Sequence, residues 1–360
     1  MRPRRCSKRC IRRASTDRVT PSRVMSSHLT AKRLVTGLAA TAAAALAAMV
    51  VGLMIGSVPV DFGAVVAGDD RMRTIFFDLR LPRVLLAAIV GAALAVSGAA
   101  LQPTLRNPLA SPEIIGVSGG AAIAAVLGLA LLPAGLLSAG LVPVVAFAGA
   151  TASSLLVFRL AHVRGRLDPY TQVLVGVTFN TFAAALILLV HAIVDLKRSH
   201  SIVFWMMGGI AIEPYPVVLL AAVLVAAATC ALLRDARSLD LLSLGDEAAR
   251  ALGADADAVR RRVFLASSLL VGAVVSLCGI ITFAGLVVPH VLRRLLGSDN
   301  RLLLPASFFG GAAFLVACDA LARWVAAPAE LPVGAITALT GAPFFVYLLR
   351  RGRERHGGLA

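Results

Sequence analysis

Residues 80–112 decide the fold class: Arg80-Leu81-Pro82-Arg83, an apolar run over 84–102, and then Arg106-Asn107-Pro108-Leu109-Ala110-Ser111-Pro112. Two arginines stand at one end of the run and an Asn-Pro turn stands near the other. A helix of roughly twenty apolar residues is long enough to span a bilayer. The run also contains small residues, such as Gly91 and Gly98, of the kind that let membrane helices pack closely. The stretch therefore predicts a closely packed membrane helix.

The composition of the whole chain points the same way. Of 360 residues, 59% are hydrophobic and only 15% are charged, and the mean hydropathy is +0.86. A chain of this length with so few polar residues cannot cover a water-soluble globule. We expect an all-α membrane protein.

The formal net charge of +16 is concentrated at the N-terminus. Residues 1–33 hold eleven of the 35 Lys and Arg residues and one of the 19 acidic residues. Three interpretations remain open: a disordered cytoplasmic flank that orients the first helix, a nucleic-acid- or lipid-binding tail, or sequence upstream of a true start at Met25. We favour the flank and expect no nucleic-acid partner. The predicted organisation is a basic arm (1–33), a membrane domain (34–351) and a cytoplasmic tail (352–360).

The cysteines predict neither disulfides nor a metal site. None of the five forms a CxxC pair or has a histidine at metal-ligand spacing, and three lie in apolar runs where we expect small buried thiols: Cys6, Cys10, Cys230, Cys278 and Cys318. We expect no bound metal and no cofactor.

Charged or Pro/Gly-rich breaks divide the chain into about ten apolar runs. The predicted spans are 34–56, 83–102, 113–132, 140–161, 171–193, 216–233, 262–278, 280–296, 302–321 and 332–349. The seventh and eighth are separated only at Cys278-Gly279. Basic residues are concentrated in the even-numbered connections and at the C-terminal end, which predicts that both termini are cytoplasmic.

An internal echo suggests a repeat. Gly91, Gly98 and Pro108 recur 181 residues later as Gly272, Gly279 and Pro289, and Gly-Gly-Ala-Ala occurs at 119–122 and again at 310–313. An odd number of predicted spans separates the copies, so they would cross the membrane in opposite directions. That is the arrangement of an inverted-topology repeat. Chance recurrence among 31 glycines is the alternative.

Several motifs together resemble one transporter family. They are Arg80-Leu81-Pro82-Arg83, the segment 243–253 (SLGDEAARALG), the segment 279–293 (GIITFAGLVVPHVLR), Glu330-Leu331-Pro332-Val333-Gly334 and Gly341-Ala342-Pro343-Phe344-Phe345. Over about residues 34–351 the chain resembles the FecCD, or vitamin B12-type, permeases of ABC importers, which take up iron-siderophores, haem and cobalamin. The resemblance implies the type II importer fold with about ten membrane helices.

Arg80, Arg83 and Arg323 are candidate docking residues. On physical grounds, arginines near a helix end also snorkel to lipid headgroups, and Arg323 lies four residues after Asp319, where the two side chains can pair along a helix. The resemblance implies that these three arginines face acidic residues of a substrate-binding protein.

The segment 243–253 has acids in its first turn and a terminal glycine, as expected of a short amphipathic helix. Alone, it fits any loop helix. The resemblance implies that it is the coupling helix, which rests in a groove of the ATPase subunit. The residues assigned to it are Leu244, Gly245, Asp246, Glu247, Ala248, Arg250, Leu252 and Gly253.

Polar residues are scarce in the middle of the predicted spans. Asn180, with Thr178 nearby, interrupts the fifth span, and a buried amide needs a partner helix or a watery pathway. The resemblance implies that both line the translocation pathway. Residues 204–209 are expected to form a short outer helix or, through Trp205, an interfacial anchor. His290 lies beside Arg293 and Arg294 at a predicted cytoplasmic end, so we expect a structural or interfacial histidine.

The chain has no GxxxxGK[ST] phosphate loop, so it must use a separate ATPase, and it has no plausible catalytic set. The resemblance implies a homodimeric permease subunit in a bacterial cytoplasmic membrane. Two ATPase subunits would bind inside, one periplasmic or lipid-anchored binding protein outside, and lipid around it. The cargo would be an iron chelate (siderophore or haem) or cobalamin. An ion-driven secondary transporter is the alternative, but such proteins carry ionisable midplane sites.

Overall fold

The computed structural model describes residues 30–56, 61–138, 140–163 and 165–356. Within them the chain is almost entirely helical, and seven helices are long and apolar enough to cross a membrane. The helices are α1 (Ala31–Met54), α2 (Phe62–Ala67), α3 (Asp70–Arg73), α4 (Leu81–Thr104), α5 (Val117–Leu131), α6 (Ala134–Ser138), α7 (Leu141–Leu160), α8 (Pro169–Ile193), α9 (Leu196–Met206), α10 (Tyr215–Arg234), α11 (Ala236–Ser243), α12 (Asp246–Ala251), α13 (Ala256–Cys278), α14 (Ala284–Leu296), α15 (Asn300–Val325) and α16 (Val333–His356).

Four short elements complete the chain order. A π-helical turn (Thr74–Arg80) joins α3 to α4, and a 3-10 turn (Pro112–Ile115) precedes α5. Strands β1 (His162–Val163) and β2 (Arg166–Leu167) form an antiparallel hairpin with His162 opposite Leu167. The sequence marks several helix starts, because the side chain of the preceding residue accepts a first-turn backbone N–H at Thr30, Asp168, Asp195, Asp255 and Asp299.

Each of the ten predicted spans overlaps a helix, but only seven of the described helices are long and apolar enough to cross a membrane. The 3-10 turn and Gly116, at φ 80°, delay the start of α5 to Val117. Gly279, at φ 70°, ends α13 at Cys278, and α14 begins only at Ala284. With a rise of 1.5 Å per residue, α5 and α14 are about 22 and 20 Å long, short of the roughly 30 Å hydrocarbon layer. The apolar part of α16, Val333–Tyr347, is also short.

Helix α4 lies at the centre of the fold, packed against α15, α13, α14 and α10. Its close approach to α15 depends on Gly91 and Gly311. A Cβ atom at Gly91 would lie 2.1 Å from the carbonyl oxygen of Gly311, and a Cβ at Gly311 would lie 2.2 Å from that of Gly91. Backbones in such contact leave no room for any side chain.

Three loops meet beside the end of α13. Gly208, Gly279 and Gly334 each face a backbone carbonyl of another segment, so that an added Cβ would lie 2.1, 2.1 and 2.2 Å from its oxygen. The Gly209 N–H donates to the Cys278 carbonyl at 2.8 Å and the Gly334 N–H to the Gly208 carbonyl at 3.1 Å. We call these three glycines the glycine junction. It ties the end of α9, the break after α13 and the start of α16 together.

The proposed repeat is not reflected in local structure. Gly98 lies inside α4, whereas its counterpart Gly279 ends α13, and Pro108 lies in a loop, whereas Pro289 lies inside α14. The two Gly-Gly-Ala-Ala segments are more alike, because each contains a glycine at a close helix crossing. The inverted repeat stays a prediction.

Most of the predicted arm lies outside the described residues, as do residues 357–360 of the predicted tail. Helix α1 already begins at Ala31, and α16 continues to His356, so neither predicted boundary coincides with the end of a helix.

Cys6 and Cys10 also lie outside the described residues. The three described cysteines are free; Cys278 and Cys318 are buried as predicted, but Cys230 is exposed on α10. No group of His, Cys, Asp and Glu placed to hold a metal occurs in the part of the chain that the structure describes.

Candidate functional site

The candidate docking arginines lie together in a buried ion cluster. Arg83, near the start of α4, donates through Nε and Nη2 to one oxygen of Asp319 on α15, at 3.1 and 3.0 Å. Arg323 donates through Nε to the other oxygen, at 3.0 Å. Asp319 is fully buried, so its charge is balanced by guanidinium groups rather than by water. The predicted Asp319–Arg323 pair is confirmed.

The same cluster holds the end of α1. Arg323 donates to the carbonyl oxygens of Ile55 and Gly52, at 2.5 and 2.9 Å, and Arg80 donates to those of Leu53 and Met54, at 2.8 and 3.0 Å. The last carbonyls of a helix have no partner within the helix. The two arginines supply the missing donors and fix α1 against α4 and α15.

Glu330, just before α16, connects the cluster to the surface. It accepts from Arg83 Nη1 at 2.7 Å, and its side chain is 48% exposed. By contrast Arg80, Arg83 and Arg323 are 7, 8 and 4% exposed. Arg83 contacts both carboxylates and Arg323 contacts Asp319, while Arg80 lies nearby on the carbonyls at the end of α1, so positive charge is in excess just beneath this surface. The docking role stays a prediction, and the contacts seen here are internal.

The candidate coupling segment, residues 244–253, forms a compact turn of helix on the molecular surface. Gly245, at φ 109°, precedes α12, and Gly253, at φ 87°, follows it, so glycine sets both ends. Leu244 and Leu252 are 66 and 61% exposed, although both are apolar. Two exposed leucines flanking a short helix leave an apolar surface without a partner.

Asp246 anchors this segment to the membrane helices. Its Oδ1 accepts from Arg260 of α13 and, at 3.1 Å, from Arg106 in the loop after α4. The hydrogen bond from Arg260 lowers the pKa of Asp246, against the opposing effect of partial burial, and the positive charges of Arg260, Arg106 and Arg250 lower it further. Arg250 pairs instead with Asp257, at 3.1 Å. Helix α12 is therefore held by charged contacts to α13 and to the loop after α4.

The two candidate pathway residues do not face one surface. Thr178 is exposed on α8, whereas Asn180 is partly buried and donates to the Glu113 carbonyl oxygen at 2.8 Å. Residues two apart on a helix point about 200° away from each other. Asn180 thus holds the 3-10 turn before α5, and the pathway-lining role of the two residues stays a prediction. Thr178 remains on the open face of α8.

Two further expectations change in detail. The outer helix expected at 204–209 corresponds to α9, which starts earlier, at Leu196. It ends at Met206, because Gly208 belongs to the glycine junction and packs against the backbone after α13. His290 lies within α14, its ring centroid 6.4 Å from that of Phe345. Its Nε2 atom has no hydrogen-bond partner among the described residues, and the structural or interfacial role stays a prediction.

Sequence reasoning missed Glu330 as a partner of Arg83 and Arg260 as a partner of Asp246. Both pairs join segments that no local pattern links. A signal was nevertheless present for Arg260, since an arginine in the first turns of a membrane helix must find an acid or reach water.

Comparison with known proteins gives a consistent result. A profile described as the FecCD transport family matches residues 44–351. The haemin transport system permease protein HmuU of Yersinia pestis is 41% identical over 295 residues, covering 81% of this chain and 87% of that protein. The cobalamin import system permease BtuC of Halobacterium salinarum is 40% identical, covering 82 and 77%. The Fe(3+) dicitrate permease FecD of Escherichia coli is 39% identical, covering 84 and 94%.

A solved structure resembles most of the chain. It is described as a metal-chelate type ABC transporter in an inward-facing conformation, and it superposes with a TM-score of 0.77 at 31% identity. The match covers 88% of this chain and 99% of that one. The fold comparison and the sequence comparisons therefore both find ABC transporters as the similar proteins.

Proposed function

The chain belongs to the FecCD transport family, and from this premise we propose that it forms the translocation pathway of an ATP-driven importer for an iron chelate or cobalamin. It is a membrane-spanning permease subunit of an ABC importer. Its relatives are named for haem, ferric citrate, ferric hydroxamate and cobalamin. These cargoes are all large metal complexes.

The coupling segment is the observation that supports the proposal best. Its two exposed leucines offer an apolar contact, while Asp246 ties the segment to α13 through Arg260. A helix in a partner's groove transmits rigid-body motion without a covalent link. ATP-driven closure of two separate ATPase subunits would thus move α12 and, with it, α13. The chain itself performs no covalent chemistry in this scheme.

The pathway itself is proposed to lie between two copies of the chain. The apolar helix α8 has little of its surface buried within one copy, with Leu174, Val177 and Phe182 at 54, 47 and 61% exposure. Thr178 lies on the same open side. A homodimer that brings two α8 helices together along its two-fold axis would place Thr178 at the pathway and Asn180 behind it, supporting the wall. Lipid would cover the remaining apolar faces.

As part of the proposal, we assign docking of the substrate-binding protein to Arg80, Arg83 and Arg323. A periplasmic or lipid-anchored binding protein with acidic residues would be steered by the excess positive charge of the cluster. Half-exposed Glu330 covers Arg83, so docking would exchange a carboxylate of this chain for one of the partner. Both termini, with the basic arm (1–33) and the tail (352–360), are proposed to lie in the bacterial cytoplasm.

Stimulated ATP hydrolysis in proteoliposomes tests the function. The chain is reconstituted with its ATPase, and candidate binding proteins are added loaded with ferric siderophore, haem or cobalamin. We expect one loaded partner to stimulate both hydrolysis and uptake. Uptake driven by an ion gradient with no ATPase present would reject the proposal in favour of a secondary transporter.

A further inference from the structure

A cleft of about 650 Å³ opens beside the coupling segment. The first turn of α1, the loop after α4, helix α11 and the connection between α14 and α15 form its walls. Arg33, on α1, and Arg293, on the last turn of α14, both line it and both are only partly exposed. Two cations from different helices thus line the same open cleft.

Neither guanidinium group has an acidic partner. Across the described residues, no carboxylate lies within ion-pair distance of Arg33 or Arg293, and neither side chain donates a hydrogen bond. The carboxylates that line the cleft are already occupied: Asp240 accepts from the backbone and side-chain nitrogens of Asn300, at 3.0 and 2.7 Å, and Asp299 pairs with Arg301 at 2.6 Å. Partly buried cations without partners are costly, and a bound anion removes that cost.

Two buried acceptors in the same cleft are also unsatisfied. Gln102 and Asn300 both line it and are each 3% exposed, and the side-chain oxygens of both lack a hydrogen-bond donor within the described ranges. Buried amide oxygens normally have a partner. The cleft therefore presents guanidinium donors for an anion, whereas these two oxygens have almost no accessible surface for a ligand to contact.

The surroundings of the cleft are those of a membrane surface. Arg33 lies in the first turn of α1 and Arg293 in the last turn of α14, so both are at the ends of apolar helices, where the headgroups of a membrane would lie. Leu34, Leu38 and Leu296 pack beneath them against α15. An amphiphile with its polar group in the cleft would lay its chains against the apolar ends of these helices, where Leu296 also lines the cleft.

We propose that this cleft binds a phosphate ester, supplied as the headgroup of an anionic phospholipid such as phosphatidylglycerol. Arg33 and Arg293 hold the phosphate. Basic pockets between membrane helices bind anionic headgroups in this manner. Because Arg106 lines the cleft and pairs with Asp246, a lipid there lies next to the coupling segment.

Lipid retention tests the proposal without relying on the coupling assignment. The chain is reconstituted in nanodiscs of mixed phosphatidylglycerol and phosphatidylcholine, extracted with detergent, and its retained lipid is measured by mass spectrometry. We expect phosphatidylglycerol to be retained by the unmodified chain and reduced at least about tenfold in Arg33→Gln/Arg293→Gln, since charge-assisted hydrogen bonds are lost. Arg294→Gln, a change at the exposed neighbour of Arg293, is the matched control and should retain lipid normally.

The remaining arms separate the sources and the alternatives. The single variants Arg33→Gln and Arg293→Gln, each expected to weaken retention, keep the test available if the double variant does not fold. Binding of soluble glycerol phosphate in place of lipid, again lost in the double variant, would support the site and assign it a soluble ligand. Equal retention in all variants, or equal loss in Arg294→Gln, would overturn the proposal. The proposal would also be overturned if the double variant retained lipid normally but assembled poorly with the ATPase. That result would identify an acidic protein side chain as the occupant.

Discussion

At the scale of single residues, the buried Asp319 joins α4 to α15 and, through Arg323, to the end of α1. It is fully buried between Arg83 and Arg323, and Arg323 in turn holds the end of α1. Sequence spacing was sufficient to predict the pair four residues apart. It was insufficient for Arg83, because 236 residues separate that arginine from Asp319 and no periodicity reaches so far.

Asp319→Asn should therefore be strongly destabilising. It leaves two buried guanidinium groups without their shared counter-ion, and breaking a buried pair costs about 3–5 kcal/mol. Thermal unfolding of the detergent-solubilised chain measures the loss. The matched control is Asp195→Asn, which removes the partner of an exposed pair with Arg198 at 3.5 Å and should cost about 0–1 kcal/mol. Equal effects of the two changes would contradict the central role of Asp319.

Arg83→Glu should reduce delivery of cargo from the binding protein, the expected result of the docking proposal. The new carboxylate would, however, lie beside Asp319 and Glu330, so folding must be measured in parallel. Glu330→Gln is the companion variant, since it removes the half-exposed covering carboxylate and leaves Arg83 in place. We expect it to retain or strengthen docking, measured as affinity for the loaded binding protein. Unchanged uptake in a folded Arg83→Glu variant would reject the assignment.

At the scale of helices, glycine decides where elements cross and where they end. The apolar pattern predicted the position of every long helix, since burial in lipid imposes one pattern on all of them. It did not predict that α5 and α14 are short, because Gly116 and Gly279 adopt positive φ angles that only the tertiary contacts select. Gly279 lies at the predicted break between Cys278 and Gly279, so the position of the break was correct. The non-helical segment that follows, residues 279–283, is longer than expected.

Gly91→Ala should disrupt the packing of α4 against α15. A methyl group there would lie 2.1 Å from a backbone oxygen, so one helix must move, and overpacking typically costs 1–3 kcal/mol or more. Gly209→Ala is the control, because nothing lies within 4 Å of the added Cβ. A lower unfolding temperature is expected for the first variant only.

Leu244→Ser and Leu252→Ser should weaken assembly with the ATPase without lowering the stability of the chain. Both leucines are more than half exposed and bury little within one copy. Co-purification of the ATPase subunit, together with the unfolding temperature, distinguishes the two effects. Leu196→Ser, at an 87% exposed leucine on α9, should change neither. If assembly survives both substitutions, the coupling assignment fails.

The contact between Asp246 and Arg260 should also affect how the free energy of unfolding depends on pH. A hydrogen bond from Arg260 lowers the pKa of Asp246 below its ordinary value of 3.8, so its stabilising contribution is present above that value and is lost as pH falls through the lowered one. The stability difference between the chain and its Asp246→Asn variant should stay constant from neutral pH down to about 5. A difference that already shrinks above pH 5 would contradict the lowered pKa.

At the scale of the whole molecule, one copy leaves much apolar helix surface uncovered. In α1, α7 and α8 less than a third of the most apolar window is buried. The sequence predicted this class of protein from its composition, but it could not distinguish surfaces that face lipid from surfaces that face a second copy. Both are apolar, and only the symmetry of the assembly separates them.

Cysteine cross-linking tests which face joins the copies. In a background with the other cysteines replaced, Thr178→Cys on α8 should form a disulfide-linked dimer in membranes under mild oxidation. Leu219→Cys, at a 66% exposed position of α10, should remain monomeric on a denaturing gel. The reverse pattern would place the two-fold axis at α10.

The long separation of Arg83 from Asp319 also has a consequence for biogenesis. Chains are made at about 5–20 residues per second, so Arg83 emerges roughly 10–50 s before the acid that neutralises it. During that interval α4 is inserted with an uncompensated cation at its end, which must stay near the headgroups or be shielded by an insertion factor. A chain truncated before α15 would never complete this contact. It would expose a recognisable defect to the quality-control proteases of the membrane.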